Sequence, residues 1–578
     1  MVKKLFITMF LLVGLAAMAQ IPKEEILLDT GVFPKENVKL SVNSKVLLAG
    51  ELLQYKAYNL TASNKMSNLS KILYVSLRNA TDSIVFNHKL QVNHGTAHGD
   101  FFIPSNLKTG IYKLIGYTNF SKNSSSDAFA QVDLYIVNTF VKSELMPSSK
   151  ETVVMTSSTE EDLQNLKTRQ DLNSLTIKLN KKTFGLREKV SLTIENSERT
   201  NDGNYVLSVR KINPVKISGD VAKASKVTAS EVFYIPELRG ELISGVVVSK
   251  LNNTPAANKE VALTIPGKDY IFKIATTNAQ GRFYFAIDEP YNAETSILQL
   301  YGDEAMRNTY KMVLDSKDFK ITGKPPHTLK LEPQLEPWLE ERSVQLQVEN
   351  AYYNTKKDSI LSHKAKPAFY DNLGTVFLLD DYTRFSTVRE TFVEVITLAA
   401  IRGSGDDAKF VVNNAYDPNR LAKFNRIDPL VLLDGVLIQD NAELLNYNAR
   451  NIESVRVVTE PYRYGAKIYS GIIAIESKSG DYSPAATTHE YITEINLPPV
   501  VSQKRYYRPD YGAGTQLSRI PDYRVQLLWQ PEINISSKDF TTAFYTSDVS
   551  GVFEILIEGF TEQGVYISDK HHFSVTEN

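Results

Sequence analysis

After its first nineteen residues, this 578-residue chain has no apolar run near the ~20 residues that a membrane-spanning helix needs. What recurs instead, from Val38 to Gly559, is a short run of branched or aromatic residues closed by Gly, Asp, Asn or Pro. Such runs read as strands bounded by tight turns. The 30 Tyr and 26 Phe beside only two Trp point the same way. The chain is too long for one hydrophobic core. The expected fold class is therefore mainly β and multidomain, a string of β-sandwich modules with one small α/β domain.

Lys and Arg number 65 against 66 Asp and Glu, so no net field draws the chain to polyanions, and no nucleic-acid partner is expected. Residues 1–19 combine Lys3 and Lys4, an apolar run from Leu5 to Ala16, and the small-x-small end Ala17-Met18-Ala19. That is the pattern of a secretory signal peptide cleaved before Gln20, with no Cys after it to carry a bacterial lipid. An exported chain without cysteine must hold its modules by core burial alone, which suits a Gram-negative envelope. The expected location is the periplasm or the outer membrane's periphery, with no transmembrane segment in the mature chain.

Residues 20–140 give strand after strand: Val38–Val42, Leu52–Tyr58, Ile72–Leu77, Phe101–Ile103, Tyr112–Tyr117 and Gln131–Val137. Gly50-Glu51 before Gln54–Tyr58, then Phe101-x-Ile103-Pro104 and Gly110-Ile-Tyr112, resemble the second macroglobulin-type domain of alpha-macroglobulin relatives. Residues 141–173 read as a linker, Ser/Thr- and acid-rich over Met146–Asn173. A weak repeat follows in 174–236: Val42-Asn43-Ser-Lys with Gly50-Glu51 returns as Leu179-Asn180-Lys-Lys with Arg187-Glu188, which implies a second module of the same type. Residues 237–320, through Ile243-Ser-Gly245-Val-Val-Val and the Asn278–Gly281 turn, resemble the transthyretin-like, carboxypeptidase-regulatory-like domain.

A connecting β-module is expected over 321–384, with an edge-like strand at Val344–Val348. In 385–482 a helix is expected from Phe385 to Ile401 and another over Asn441–Arg450. Here Pro429 with Asp434-Gly435, then Ile452-Glu-Ser-Val, then Tyr464-Gly465 and Gly471-Ile-Ile, resemble the plug domain of TonB-dependent outer-membrane receptors. These six residues have turn and packing roles in that reading. An extended loop is expected over 483–516 and a C-terminal β-sandwich over 517–578, marked by Asp522, Arg524 and Trp529. The whole order resembles an exported multidomain Bacteroidetes family with macroglobulin-like, carboxypeptidase-regulatory-like and plug-like units and no barrel.

The residues after Gly480 are too few for a receptor barrel of more than twenty strands of about ten residues each, so transport by this chain alone is excluded. The absent cysteine removes a thioester, a thiol nucleophile and thiolate metal ligands. His94, His98 and Asp100 fit a polar hairpin loop better than a metal site. Asp380-Asp381 and Asp406-Asp407 fit turns, since neighbouring side chains on a strand point apart. Gly403-Ser-Gly405 and Gly512-Ala-Gly514 lack the strand-loop-helix setting of a nucleotide site. No catalytic residue, metal or cofactor is expected.

Arg505, Tyr506, Tyr507, Arg508 and Tyr511 form a basic-aromatic cluster, suited either to an interaction surface or to a long segment anchored across a domain junction. Asp82-Ser83-Ile84 and Asp358-Ser359-Ile360 resemble Bacteroidetes O-glycan acceptors. The expected function is a non-enzymatic envelope scaffold that docks on an outer-membrane barrel or another envelope protein. The alternative is a macroglobulin-like, non-covalent protease inhibitor or bait, with Met146–Asn173 as the exposed segment.

Overall fold

The computed structural model describes residues 34–124, 128–141, 152–158, 175–196, 198–219, 233–317, 328–361, 366–413, 427–484, 489–512, 517–536 and 539–577. The signal-peptide reading, the expected linker apart from residues 141 and 152–158, and Gly514 lie outside them. The described residues form a multidomain, mainly β protein built of sandwiches, and no helix among them is long and apolar enough to cross a membrane.

The first module packs a three-stranded sheet, Glu36–Val42, Leu52–Thr61 and Thr96–Phe102, on a five-stranded one ordered Val46–Leu48, Ala130–Val137, Gly110–Tyr117, Ile72–Arg78, Ile84–Gln91. Its core joins Leu53, Tyr55, Val75, Leu77, Leu114 and Leu134. The Tyr112 hydroxyl donates to Lys108 O at 2.6 Å, pinning the turn before the strand.

A second sandwich follows the same plan from a different part of the chain. Asn43 and Asn180 each accept a backbone N–H eleven residues on, from Gln54 at 3.0 Å and Ser191 at 2.9 Å. Glu51 and Glu188 each accept the N–H three residues back. Gly50 and Arg187 both hold positive φ, +94° and +53°. Tyr205 repeats the Tyr112 corner, donating to Asn201 O at 2.6 Å. The repeat is thus one turn geometry used twice.

This second sandwich corrects two expectations at once. Thr176–Leu179, Lys189–Glu195 and Gly203–Lys211 do not close a module within 174–236, and Gln526–Ile535, Phe540–Tyr545, Gly551–Thr561 and Tyr566–Val575 do not form a separate one over 517–578. They share two sheets, with Gly203–Lys211 lying between Gly551–Thr561 and Gln526–Ile535. The physical reason is burial: the strands before residue 212 present Leu192, Tyr205, Leu207 and Val209 to one core, and the same core takes Ile533, Phe553, Ile555 and Phe573, among others, from residues 526–575.

The third module packs Arg282–Ile287, Glu241–Ser249 and Tyr310–Leu314 against Ile271–Thr276, Glu260–Ile265 and Thr295–Tyr301. Its second sheet gains a fourth strand, Ile492–Asn496, from the segment expected to be a loop. Within the expected linker, Thr152–Ser157 is a strand with Val153 and Met155 fully buried, paired to Val215–Ser218 on one side and Thr328–Leu331 on the other. Val344–Val348 is not an edge strand but lies in the helix Glu336–Ala351. Leu335, Trp338, Leu339 and Leu346 recur at helical spacing and pack with Val153 and Met155 on the outer face of the first module. The local alternation of Val344-Gln-Leu-Gln-Val yields to that longer period.

The α/β unit is a five-stranded sheet ordered Thr375–Leu378, Ile452–Val458, Ile472–Ser477, Leu430–Leu433, Val436–Leu437. The expected first helix is confined to Val388–Glu394 by a Thr387/Glu390 capping box, and Ala399–Arg402 pairs with Lys409–Val412 instead of continuing it. The second helix, Asn441–Leu445, stops before a 3-10 turn at Ala449–Asn451. One face of the sheet, Val431, Leu433, Val455, Val457, Ile473 and Ile475, packs on these helices. The other, Leu430, Leu432, Ile472 and Ala474, packs on Ala262 and Phe272 of the third module. Burial on both faces is why these strands are almost continuously apolar.

The shared sandwich sets a test. Each of the buried Ile and Phe side chains supplied by residues 526–575 contributes about 1.5–3 kcal/mol of burial, so losing several of them removes stabilisation comparable with the ~5–15 kcal/mol net stability of a whole domain. A chain ending at residue 516 is expected to leave residues 175–211 open to limited proteolysis while the first module stays resistant. Protection of 175–211 in that truncated chain would contradict the shared core.

Candidate functional site

The residues singled out in the sequence fall on seams between modules. The Asp434-Gly435 pair forms the two-residue turn between Leu430–Leu433 and Val436–Leu437, with φ of +49° and +80°. The Asp434 carboxylate accepts the Ser477 N–H at 2.7 Å, its hydroxyl at 2.5 Å and the Tyr482 N–H at 3.0 Å. Gly435 lies flat on the third module: its carbonyl accepts the Thr264 hydroxyl at 3.1 Å, and a Cβ there would meet the Tyr270 ring at 2.1 Å. The Tyr464 hydroxyl donates to Phe272 O at 2.5 Å, and its ring packs on Phe272 and Phe369. Gly465 turns the hairpin Tyr462–Tyr464/Lys467–Tyr469, a Cβ at Gly471 would strike Val458 O, and Pro429 leads into the parallel strand. The turn and Tyr464 therefore seat the α/β unit on its own neighbour.

The basic-aromatic cluster lies on a strap that runs from Pro498 to Gly512 across the first two modules. Pro498 O accepts the Lys89 ammonium at 2.7 Å, and Val501 N–H donates to Lys89 O at 2.8 Å along the edge of the five-stranded sheet. Asp100 accepts Lys504 at 2.7 Å and the Tyr506 hydroxyl at 3.2 Å. Burial and Asp100 push the Tyr506 hydroxyl well above its usual range. Tyr507 N–H donates to Asp358, and the Tyr511 hydroxyl to Asp522 at 2.7 Å, with the Arg187 guanidinium over its ring. Arg505 and Arg508 stay exposed; Arg505 pairs by backbone with Ser359, and Arg508 donates to Gln530. Asp522 and Arg524 form a bidentate pair at 2.7 Å, and Trp529 is buried in the second sandwich.

Sequence reasoning missed the ionic junctions, because their members lie far apart along the chain. Glu51 meets Arg210 at 2.9 Å and Arg342 at 3.0 Å, tying the first module, the second sandwich and the helix Glu336–Ala351 together. Burial pulls the Glu51 carboxyl up, but the two guanidinium groups outweigh it and hold it below the ordinary range. Lys56, fully buried, reaches Tyr205 O at 3.1 Å and Glu532 at 3.5 Å, and burial lowers it to about 8. Glu532 also faces His98 at 3.6 Å; burial raises it, yet His98 and Lys56 bring it down to about 2. His98 thus turns to Glu532, Asp100 to the strap, and His94 into an exposed tight turn. Among the described residues, no group of three or more metal-ligating side chains gathers.

No family model matches the chain, and no curated protein is similar to it. Among solved structures, it is similar to Salmonella alpha-2-macroglobulin reacted with methylamine, at 8% identity and a TM-score of 0.24 over 94% of this chain and 40% of that one. Escherichia coli alpha-2-macroglobulin activated by porcine elastase gives 8% identity and 0.24 over 94% and 44%, and its native conformation 9% and 0.24 over 94% and 40%. The chain spans less than half the length of these proteins. Likeness at this level does not separate one multidomain β-sandwich protein from another.

Two outcomes follow from the seams. Gly435→Ala is expected to cost at least about 2 kcal/mol in chemical denaturation, because it combines left-handed backbone with a clash on Tyr270. A wild-type midpoint would refute the seating of that turn. Glu532 has a folded pKa below its ordinary 4.5, so its contribution is present above that value and lost as pH falls toward about 2. Thermal unfolding should therefore drop more steeply for the wild type than for Glu532→Gln between about pH 5 and pH 3; parallel curves would show that the Lys56–Glu532–His98 junction contributes nothing.

Proposed function

We propose that the chain is a non-enzymatic scaffold of a Gram-negative envelope, exported by its first nineteen residues, that docks through its α/β unit on an outer-membrane barrel or another envelope protein. The observation that carries this reading is the asymmetry of the α/β sheet. One face is covered by its own helices and the other by the third module. Thr375–Leu378, at the end of the sheet, pairs only with Ile452–Val458 among the described residues. Val376 and Leu378 on it are 39% and 51% exposed, with Leu373 and Tyr382 exposed beside them. An uncovered edge carrying apolar side chains is the feature by which a sheet accepts a strand from a partner.

The protease-bait alternative loses part of its exposed segment, since Thr152–Ser157 is paired on both sides and two of its side chains are in a core. The scaffold reading is tested by cross-linking intact envelopes and purifying the full chain with whatever it holds. Wild type should bring down an envelope protein, and Val376→Lys with Leu378→Lys should lower that yield about tenfold while stability shifts by no more than ~0.5 kcal/mol, as for surface substitutions. Recovery of no partner by the wild type would end this reading.

A further inference from the structure

The face of the α/β sheet that meets the third module is covered only in part. Across its strands the side chains stand in rows: Ala474 beside Arg456 beside Val376, and Glu476 beside Ser454 beside Leu378. Ala474 is buried in the junction with the third module, whereas Val376 and Leu378 are exposed, so the cover ends within two strands of the edge. The Ser454 hydroxyl donates to Glu476 Oε2 at 3.0 Å, which keeps the second row on this same face.

The uncovered edge strand is held at both ends. Arg456 Nη1 donates to Asp371 O at 2.7 Å and to Leu373 O at 3.1 Å, fixing the chain where it enters Thr375–Leu378. The 3-10 turn Leu379–Asp381, with Leu379 buried, fixes its exit. A strand ordered in advance loses little further entropy when another segment pairs with it.

Charge then selects the guest. Asp371 meets Arg456 at 3.3 Å, and Asp380 meets Arg384 and Lys478. Asp381 and Glu476 are exposed, and neither forms an ion pair among the described residues. Asp381 lies just beyond the end of the edge strand; Glu476 lies two strands in, about 10 Å away, roughly one Debye length. The surplus beside the edge is therefore negative. A second copy would bring the same surplus against itself, and a four-residue strand, about 13 Å long, covers far less than the ~800 Å² per partner of a stable dimer. We propose that this edge takes an extended segment of a partner protein in which apolar residues alternate, laid beside Val376 and Leu378, with Lys or Arg at the segment's ends. The proposal rests on the scaffold reading and adds to it the chemistry of what is bound.

The full chain is titrated by fluorescence anisotropy with a labelled short peptide that alternates valine and threonine and ends in lysines, beside the same peptide ending in glutamates and one with proline at alternate positions, which removes the backbone donors. Amide exchange over residues 373–382 is followed in parallel. The lysine-ended peptide is expected to bind at least about tenfold tighter than the glutamate-ended one, to slow exchange within 375–378, and to lose most of its preference in the double variant Asp381→Asn with Glu476→Gln, while the proline peptide does not bind. Binding of no peptide, equal binding of both charged forms, or a preference untouched by the double variant would overturn the proposal. A dimer that is lost on Val376→Lys would overturn it too, giving the edge to a second copy. The scaffold reading fails separately: an envelope partner lost with Val376→Lys and Leu378→Lys while the peptides do not bind removes only the assigned chemistry, and a bound lysine-ended peptide with no partner recovered from envelopes removes only the scaffold.

Discussion

The second sandwich is closed by strands that lie more than three hundred residues apart in sequence. Gly203–Lys211 sits between Gln526–Ile535 and Gly551–Thr561, and Arg187 reaches Asp548 in a bidentate pair at 2.6 Å. Everything between these strands must be placed before the core around Tyr205 and Phe553 is complete. Such long-range pairing makes folding slow, because the entropy of closing the loop is lost before the contacts that offset it form. The same closure binds the third module and the α/β unit, inserted between the two halves, into one continuous body. The returning segment adds to this on its way, giving a strand to the third module and a strap to the first.

The junctions made by the first module carry paired charges. Glu51 with Arg210 and Arg342, and Lys89 with Glu241, are buried ion pairs, while the buried Lys56 meets the more exposed Glu532. Desolvation makes such pairs weak sources of net stability, yet breaking one leaves an uncompensated charge. They therefore penalise a wrong docking angle more than they reward the right one. This is consistent with a protein whose modules keep fixed positions without a single disulfide.

The α/β unit illustrates how one face is spent and another kept. Its Asp434-Gly435 turn and Tyr464 are used inward, against Thr264, Tyr270 and Phe272. The edge strand Thr375–Leu378 faces outward with Val376 and Leu378 exposed. The unit thus offers solvent the sheet's edge and not the turn that first draws the eye in the sequence.

Much of the local structure was legible in the residues themselves. The strands of the first module, the Asp434-Gly435 hairpin, the Asn278–Gly281 turn and the Asn43/Asn180 repeat follow from turn chemistry and alternation, which depend on a few neighbouring residues. Of the site, the sequence marked Tyr506, Tyr507 and Tyr511 as a cluster but not Asp100, Asp358 and Asp522 as what they touch. Tertiary structure alone decided that the strands of 175–211 and 526–575 are one sandwich, that Thr152–Ser157 is a strand with Val153 and Met155 buried, and that Val344–Val348 is helical. The reason is physical: a side chain's period fixes its own backbone, whereas the identity of the surface that covers it depends on which distant segment has a complementary apolar face, and no single stretch of sequence carries that information.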